Sequence, residues 1–566
     1  MLRMFDRHGV RPAASLEGVW EFVTQPDRKD RGKLPLKYPR RIYVPSAWES
    51  LPGLENYRGK AWLRTTISGA EGPAARLVFG GVSHTAAVYV DGRKIGGHYD
   101  AFTPWVVLAP ALDEGEHELV VEVDNSFGEH SALHMENDYY TYGGITRPVE
   151  MQFVDAMYID NLQARPIRKG PRWSLDVSVR LRNRTRRAVR RRVVLLLGGE
   201  ELDLGNVTVR PGATRNVRGT LDGLDVACWS AESPTLYYLH CLLLDGEAVT
   251  DDCIDRIGFR EIRVRGKKLL LNGEPIRLRG YNRHEDHPQF GCAIPPQAMM
   301  TDLNIMRDLG CNFIRTCHYP NDMQFLDLCD EMGFYVWEES HARNVPFEHP
   351  RFAEQIDTNT REMIDWHGNR PSILLWGCLN ECDSKTRGGR KHYARVLKLM
   401  KKLDPSRPVT FASNKRYEDI CLDLVDIVSW NRYDAWYGGE CEDIEPNLRK
   451  ILRWLRSGGS GGRGKPVIMS ECGAGAIYGT RHPSRAKWTE EYQADVIDET
   501  LRVYLDHPDI VGVALWQFCD CRVTRNRWSG RPRTMNNKGT VDEYRRPKLA
   551  CETVRRRMKQ AARRKA

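Results

Sequence analysis

Two stretches of the sequence are short apolar runs that each end in a glutamate. Residues 373–381 read Ile-Leu-Leu-Trp-Gly-Cys-Leu-Asn-Glu, and ninety positions later residues 466–471 read Pro-Val-Ile-Met-Ser-Glu. Each run predicts a strand buried on both faces, which would place Glu381 and Glu471 at neighbouring strand ends. Two carboxylates so placed are the least that hydrolysis of a glycosidic bond requires. Either glutamate alone is more often an ordinary strand-end acid or half of an ion pair, so it is the pair that favours this chemistry.

The two runs belong to a region of alternating strand and helix patterns that begins near Arg260. Amphipathic stretches such as 297–309, 322–332 and 489–505 predict helices between the apolar segments. Eight strand–helix units in roughly 300 residues predict a (β/α)8 TIM barrel over residues 261–566. The strands are predicted to start near Ile276, Asn312, Phe334, Ile373, Val409, Ile427, Pro466 and Ile510.

Polar residues cluster where these strands end, and in TIM-barrel enzymes the carboxyl ends of the strands carry the chemistry. Any single histidine among them is more often structural than catalytic, but a barrel that served only as a scaffold would not need this density. The polar strand ends are Asn282 to Asp286, Arg315 to His318, Glu338 to Arg343, Asn380–Glu381, Trp430 to Tyr433, Glu471 and Trp516–Gln517.

The residues before the barrel predict two β-sandwiches. Residues 1–156 alternate apolar and polar side chains in short strands, and Asp91-Gly92 predicts a hairpin turn. This first sandwich ends in an aromatic, glycine-containing loop, 137–147, which is more elaborate than a connection requires. Residues 157–260 carry about seven short strands, typical of a smaller immunoglobulin-like β-sandwich. No side chain in the second sandwich suggests chemistry, so a spacer role is favoured.

Composition disfavours several other classes of protein. No apolar run approaches the ~18 residues of a membrane span, and the first residues lack the apolar region of a secretory signal. The fifteen cysteines are scattered and odd in number, which favours reduced thiols in a cytoplasmic protein over a disulfide framework. The net charge of +10 includes two basic runs, 182–192 and 555–565, but no stacking aromatics are interleaved with them. Neither nucleic-acid binding nor membrane binding is therefore predicted.

Two short patterns suggest ligands that the rest of the sequence does not support. Residues 459–465 imitate the start of a phosphate-binding loop, but Pro466 stands where Ser or Thr is needed, and the loop precedes a strand. His284 and His287 are close enough in sequence to suggest a metal, yet their flanks are typical of a barrel rim, and no Cys-x-x-Cys spacing occurs in the chain. We expect no metal and no cofactor.

With these residues assembled, the chain resembles glycoside hydrolase family 2, and within it the β-glucuronidases. The resemblance covers nearly the whole chain and rests on motifs that follow the family's order. They are Arg283 to Asp286, His318 to Pro320, Asn380–Glu381, Asn431 to Tyr433, Glu471 and Asn536-Asn-Lys538-Gly539. The resemblance implies a jelly-roll sandwich, an immunoglobulin-like sandwich and a catalytic barrel in that order. It also implies a homo-oligomer that acts on β-hexuronide conjugates or uronate-terminated oligosaccharides.

The resemblance implies a retaining mechanism with two glutamates. Glu381 would be the general acid and then the base, with a pKa raised by the second carboxylate about 5–5.5 Å away. Glu471 would be the nucleophile that forms a glycosyl-enzyme ester, and Arg315 and Tyr433 would donate hydrogen bonds to it. Asn380 would bind the sugar 2-hydroxyl, a contact that strengthens in the transition state.

Other residues are implied to bind the sugar. Asn536 and Lys538 look like the family's Asn-x-Lys motif, whose amide and ammonium groups suit a sugar carboxylate. Trp516 would offer a ring face, and Asp138, in the aromatic loop of the first sandwich, would reach the distal hydroxyls. Two histidines of the quoted motifs complete the predicted sugar site, His284 and His318.

One segment departs from the family's pattern. His341-Ala-Arg343, after the third barrel strand, brings an extra guanidinium near the expected sugar, and the long loop that many relatives carry there is missing, which suggests an open aglycone side. Arg343 would either pair with an acid at the rim or read the C4 hydroxyl, the stereocentre that separates glucuronate from galacturonate. The alternative to a β-glucuronidase is therefore a β-galacturonidase. A β-galactosidase is disfavoured by Asn536 and Lys538, and a catalytically silent carbohydrate-binding protein is disfavoured by the two intact glutamates.

Overall fold

The computed structural model describes residues 1–29, 32–69, 72 and 74–564, and it begins with a β-sandwich. Side chains such as Trp20, Leu63 and Trp105 form the core between its two antiparallel sheets. The six-stranded sheet runs, in spatial order, Arg40–Val44, Gly18–Thr24, Lys60–Gly69, Gly115–Asp124, Thr85–Val90 and Arg93–Tyr99. The four-stranded sheet runs Ala13–Ser15, Val149–Val154, Ala74–Phe79 and Trp105–Ala111, and Val82–Ser83 pairs separately with Gly144–Ile145.

The predicted hairpin in this sandwich is present. Asp91 and Gly92 join two paired strands, and both residues have positive φ, 48° and 74°. A two-residue turn of this kind matches the twist of the flanking strands, which is why the Asp-Gly pair predicts it from sequence.

The second unit is a smaller sandwich with the core expected of an immunoglobulin-like fold. Alternate residues of its strands, such as Leu175, Val177 and Val179, point inward and are fully or nearly fully buried. One sheet comprises Met157–Lys169, Arg172–Asn183 and Thr214–Leu224. The other comprises Glu200–Val209, Val189–Leu197, Tyr237–Asp245 and Ala248–Ile257. A three-stranded ribbon of Ile262–Arg265, Lys268–Leu271 and Glu274–Pro275 leads into the last unit.

The last unit is a parallel barrel with eight strands in chain order. They are β1 Leu278–Asn282, β2 Phe313–Thr316, β3 Tyr335–Glu339, β4 Ile373–Gly377, β5 Val409–Thr410 with Ala412–Ser413, β6 Val428–Asn431, β7 Val467–Cys472 and β8 Ile510–Leu515. Strand β5 is interrupted at Phe411; its first half pairs with β4 and its second half with β6, so this strand closes the barrel. The predicted fold of two sandwiches followed by a TIM barrel is confirmed.

Seven α-helices surround these strands among the described residues. They are α1 Pro296–Asp308, α2 Met323–Met332, α3 Phe352–His367, α4 Arg387–Leu403, α5 Ile444–Arg456, α6 Glu490–Asp506 and α7 Ala550–Ala562. The connection between β5 and β6 contains only short 3-10 turns, Arg416–Glu418 and Leu422–Leu424. Further 3-10 turns are Trp48–Ser50, Cys441–Asp443, Arg525–Gly530 and Pro532–Thr534, and Cys521–Arg522 pairs with Met535–Asn536 after β8.

The aromatic loop of the first sandwich packs onto the carboxyl end of the barrel. The hydroxyl of Tyr139 lies 3.1 Å from Nε2 of His341, and the backbone N–H of Asn137 donates to the Thr524 hydroxyl at 2.9 Å. Beside it, Arg147 forms a buried ion pair with Glu285 at 2.8 Å. The elaborate loop noted in the sequence therefore contributes side chains to the end of the barrel where chemistry is expected.

Three features bear on the predictions from composition. All fifteen cysteines are free thiols. Among the described residues, no helix is both long and apolar enough to cross a membrane. The basic tail forms most of α7, where Arg555 pairs with Asp308 and Arg557 with Asp498, while Lys565 lies outside the described residues.

Candidate active site

The two glutamates predicted to do the chemistry both lie at the carboxyl end of the barrel and line one cavity of about 580 Å³. Glu471 belongs to β7 itself and is 4 % exposed. Glu381 follows β4 in a turn where Leu379 and Glu381 both have positive φ, 49° and 54°. Such backbone conformations cost non-glycine residues about 1–3 kcal/mol each and concentrate at functional sites. The turn is held by the Glu381 N–H, which donates to the Ala412 carbonyl at 3.0 Å, and by the Lys415 ammonium, which donates to the Glu381 carbonyl at 3.2 Å.

Both oxygens of the Glu471 carboxylate accept strong hydrogen bonds. Arg315 Nη1 donates to Oε1 at 2.8 Å, and the Tyr433 hydroxyl donates to Oε2 at 2.7 Å. Arg315 is fully buried, and its other nitrogens bind Glu339 and Asn380. These bonds fix the carboxylate in one orientation with its charge opposed by a guanidinium, as a nucleophile requires.

The Glu381 carboxylate is positioned from two sides. Asn431 Nδ2 donates to its Oε1 at 2.9 Å, and Arg343 Nη2 lies 3.6 Å from its Oε2. The neighbouring Asn380 is oriented by Arg315, which donates to its Oδ1 at 2.8 Å. That bond leaves the buried Asn380 Nδ2 with no hydrogen-bond partner among the described residues, so this donor is available for a ligand oxygen.

Burial and the negative charge of Glu381 raise the pKa of Glu471 to about 7. Glu471 is therefore protonated below about pH 7 and ionised above that pH. A carboxylate that attacks as a nucleophile must be ionised, so protonation of Glu471 removes activity.

We expect kcat/KM to rise with pH through an apparent pKa of about 7, because Glu471 must be ionised to attack the anomeric carbon. The measurement is kcat/KM against pH with a nitrophenyl glycoside, whose good leaving group needs little protonation. In Glu381→Gln the negative charge beside Glu471 is lost, so this apparent pKa should fall. A flat profile between about pH 6 and 9 would contradict the raised pKa of Glu471.

At another side of the cavity, an ammonium group is enclosed by aromatic rings. Lys538 Nζ lies 5.6, 5.5 and 5.2 Å from the ring centres of Tyr433, Trp436 and Tyr437, and it donates to the Tyr437 hydroxyl at 3.1 Å. The side chain is 2 % exposed, and burial lowers its pKa. No described carboxylate forms an ion pair with it, so this buried cation lacks the anion that would offset its loss of hydration.

The side chain of Asn536, two residues before this lysine in the chain, is also unsatisfied. It is 1 % exposed, and neither its Oδ1 nor its Nδ2 has a hydrogen-bond partner among the described residues. Its backbone is fixed, because Asn536 pairs with Cys521 and its carbonyl accepts a bond from Gln517 Nε2 at 3.1 Å. A buried amide and a buried ammonium without partners indicate a site for an anionic ligand.

Asp138, from the first sandwich, reaches the same cavity but already has a partner. Arg531 Nε and Nη2 bind its two carboxylate oxygens, the first at 3.1 Å. Burial opposes the ionisation of Asp138, but the hydrogen bonds and charge of Arg531 outweigh it and lower the pKa of Asp138 to about 2. Arg531 did not emerge from the sequence; the only signal was an arginine in the basic loop five residues before Asn536.

Trp516 lines the cavity, and the two predicted histidines pack against it. The ring of His318 stacks on Trp516 at 5.1 Å between ring centres, and His284 meets it edge-on at 5.4 Å. Burial lowers the pKa of both histidines, that of His284 to about 3, so both rings are neutral. Their Nε2 atoms have no partners among the described residues and remain available for hydroxyl groups.

The structure thus places the two predicted catalytic glutamates on the wall of one cavity, together with Asp138, Arg343, Tyr433, Trp516 and Lys538. Arg315 donates hydrogen bonds to both Glu471 and Asn380. Eight lining residues were not among the predicted site residues: Asn414, Arg416, Asn431, Asp434, Tyr437, Gly438, Gly439 and Asn447. A larger cavity of about 640 Å³ lies between the second sandwich and the barrel and shares no residue with this one.

Two buried groups of side chains have the spacing to hold a metal ion: His284 with Cys317 and His318, and Asp100 with His134 and His341. In the second group, both ring nitrogens of His134 already form hydrogen bonds, to Tyr99 and to the Ala101 N–H. In the first, Nδ1 of His318 lies 2.9 Å from Glu339 Oε1. Hydrolysis of a glycosidic bond by two carboxyl groups needs neither group, and the absence of a metal stays a prediction.

Comparisons with known proteins agree with this architecture. The family model "Glycosyl hydrolases family 2, TIM barrel domain" matches residues 262–562, and "Glycosyl hydrolases family 2" matches residues 157–260.

The β-glucuronidase of Streptococcus agalactiae is 28 % identical over 606 aligned residues, covering 97 % of this chain and 96 % of its own. The crystal structure of a family 2 β-galacturonidase from Eisenbergiella tayi bound to galacturonate has a TM-score of 0.93 and 42 % identity, and covers 99 % of both chains. The β-glucuronidase of Bacteroides uniformis has a TM-score of 0.85 and 26 % identity, covering 96 % of this chain and 69 % of its own. The chain belongs to glycosyl hydrolase family 2.

Proposed function

We propose that the protein is a retaining exo-β-D-hexuronidase whose preferred substrates are β-D-galacturonides. The observation that carries the proposal is the cavity in which two carboxylates lie with a buried, unpaired Lys538. Asn536, two residues before Lys538 in the chain, adds a buried amide with no partner among the described residues. The carboxylates supply the acid and nucleophile of glycoside hydrolysis, and the unpaired cation and amide suit a sugar carboxylate. A neutral hexose would leave both of these groups buried without partners.

The first half of the reaction transfers the sugar to the protein. Glu471 attacks the anomeric carbon, and the bond from that carbon to the leaving oxygen breaks while Glu381 gives this oxygen its proton. Arg315 and Tyr433 hold the attacking carboxylate in position. The product is a glycosyl ester of Glu471 and a free aglycone alcohol.

The second half releases the sugar. Glu381, now a carboxylate, takes a proton from water as the water oxygen attacks the anomeric carbon and the ester bond to Glu471 breaks. Two displacements at the same carbon retain the β configuration. The free Asn380 Nδ2 is placed to donate to the sugar 2-hydroxyl, and Trp516 offers an apolar face to the ring.

The likeness to a solved β-galacturonidase favours galacturonate over glucuronate, and Arg343 is the candidate residue to read the difference. The similar β-galacturonidase from Eisenbergiella tayi is 42 % identical and was solved with galacturonate, whereas the β-glucuronidases described above are 26–28 % identical. In this chain Arg343 stands at the cavity wall, where Nη1 donates to Asn137 Oδ1 at 2.8 Å and Nη2 lies 3.6 Å from Glu381. The second distance is longer than a hydrogen bond, so that nitrogen retains capacity to bind a sugar hydroxyl.

Arg343→Ala should change the ratio of kcat/KM for β-galacturonide to that for β-glucuronide by at least about tenfold, or roughly 1.4 kcal/mol. The ratio is the informative quantity, because any disturbance of Glu381 slows both substrates alike. Asn431→Ala is the matched control, since Asn431 also binds Glu381, at 2.9 Å, and should leave the ratio unchanged. If Arg343→Ala leaves the ratio as it is in the unmodified protein, Arg343 acts only through its ion pair.

The proposed function is tested by hydrolysis of matched nitrophenyl β-galacturonide, β-glucuronide and β-galactoside. We expect rapid turnover of the galacturonide, slower turnover of the glucuronide and little of the galactoside. Fastest turnover of the galactoside would overturn the carboxylate site at Lys538 and Asn536. If the glucuronide is hydrolysed faster than the galacturonide, the carboxylate site is supported but the proposed preference for galacturonides is overturned.

A further inference from the structure

The charged side chains of the active-site cavity do not all have partners. Its acids are each paired: Asp138 with Arg531, Glu381 with Arg343, Asp434 with Arg432 and Glu471 with Arg315. Two lining cations, Lys538 and Arg416, have no carboxylate partner among the described residues. Lys538 is deeply buried and suits the carboxylate of the hydrolysed sugar, which leaves the charge of Arg416 unexplained.

Arg416 occupies the outer edge of the cavity. It starts the 3-10 turn that follows β5, where its φ of 50° is a conformation that non-glycine residues seldom adopt. The side chain is solvent-exposed, unlike Lys538, and it also lines an open cavity of about 410 Å³ that shares Asn414 and Arg416 with the active site. Arg416 therefore lies at the exposed side of the cavity, toward which a leaving group would extend if Lys538 holds the sugar carboxylate in the buried part.

Two neighbouring groups complete this outer part of the cavity. The ring of Tyr437 is 65 % exposed while its hydroxyl accepts the bond from Lys538, so its outer face is free for an aglycone. Lys415, next to Arg416, binds the Glu381 carbonyl and ties the turn to the catalytic acid. A group held by Arg416 would thus lie beside the residue that protonates the leaving oxygen.

We propose that the aglycone carries a carboxylate and that Arg416 binds it. This inference rests on the proposed function, because it concerns the leaving group of the same hexuronide. A guanidinium can bind a carboxylate through two parallel hydrogen bonds, a geometry that a neutral aglycone cannot use. The substrate then carries two carboxylates, one for each unpaired cation of the cavity. A second uronate residue and an acidic aromatic alcohol both supply this chemistry.

The test compares substrates that differ only in the aglycone charge. The probes are an aryl β-galacturonide with a ring carboxylate, the methyl ester of the same compound, and a β-linked di-uronide. For Arg416→Gln we expect kcat/KM on the free acid to fall at least about fivefold relative to the ester, mainly through KM. The wild-type preference for the acid should weaken with added salt, because Arg416 is exposed and its charge is screened.

Arg453→Gln is the control, because it removes the same charge from an exposed position on α5 that does not line either cavity. If kcat/KM of Arg416→Gln falls on both the aryl acid and the di-uronide, Arg416 is a general carboxylate site. If kcat/KM falls on only one of these substrates, that substrate identifies the kind of aglycone. An unchanged acid-to-ester ratio in Arg416→Gln, together with an unchanged rate on the di-uronide, overturns the inference. Absence of turnover on every uronide instead overturns the proposed function, so the two failures are distinguishable.

Discussion

Glu471→Gln should lower kcat on a nitrophenyl β-galacturonide by at least about four orders of magnitude, the scale observed when a covalent nucleophile is removed. The amide of glutamine cannot form the glycosyl ester, so the first displacement is lost. The substitution keeps the size of the side chain, and the glutamine Oε1 can accept from Arg315 as Glu471 Oε1 does at 2.8 Å. The loss therefore reports chemistry and not disruption of the site.

Two further measurements make this result specific. Glu471→Gly leaves space for a small external nucleophile, so azide should restore turnover and yield a glycosyl azide of inverted configuration. Glu381→Gln should instead retain kcat/KM on substrates with good leaving groups, because their first displacement needs little protonation, while kcat falls because the second displacement still needs the base. Hydrolysis by Glu471→Gln at the wild-type rate would falsify the nucleophile assignment.

The barrel and its carboxylate pair were predictable because chain order determines both. In a parallel barrel every strand ends at the same face, so apolar runs that end in Glu381 and Glu471 must bring the two acids to one rim. The residues at which each strand ends were less predictable. The apolar run from Ile373 suggested seven strand residues, but β4 ends at Gly377, because the chain leaves the sheet in the turn where Leu379 has positive φ.

Two residues that sequence reasoning missed, Arg531 and Arg416, lie where no periodic pattern exists. Arg531 stands in a loop of 3-10 turns, and its role depends on Asp138, nearly 400 positions away in the chain. Arg416 lies in the β5–β6 connection, which contains no α-helix. Contacts of this kind arise from tertiary packing alone, so neither helical nor strand periodicity can reveal them.

Which of the two glutamates has the raised pKa could also not be predicted without the structure. The sequence indicated that two neighbouring carboxyls would repel and so raise a pKa, and the prediction placed that effect on Glu381. The structure attributes a raised pKa, of about 7, to Glu471, whose side chain is 5 % exposed against 15 % for Glu381. Burial at the atomic level decides which member of the pair bears the larger cost of ionisation, and spacing along the chain carries no such information.

Lys538→Met should lower kcat/KM on the β-galacturonide by about 30-fold to about 4,000-fold. Removing one partner of a buried charge pair costs about 2–5 kcal/mol, because the remaining carboxylate is left without a counter-charge. Methionine retains most of the side-chain volume, so the rings of Tyr433, Trp436 and Tyr437 keep a neighbour of similar size. A matched β-galactoside lacks the carboxylate, and its slow hydrolysis should be unchanged or faster.

The control for this substitution is Lys487→Met, because Lys487 also lies over the Trp436 ring, at 5.8 Å, but does not line the cavity. Lys487 donates to the Trp436 carbonyl at 2.8 Å. Lys487→Met therefore removes a contact with the aromatic cluster without removing a cation from the cavity wall. The measured quantity is the ratio of kcat/KM for galacturonide to that for galactoside in each variant. A fall in this ratio for Lys538→Met and not for Lys487→Met assigns the uronate carboxylate to Lys538. Equal losses on both sugars would mean that Lys538 supports the cavity wall without reading the carboxylate, and that the preference for uronides has another source.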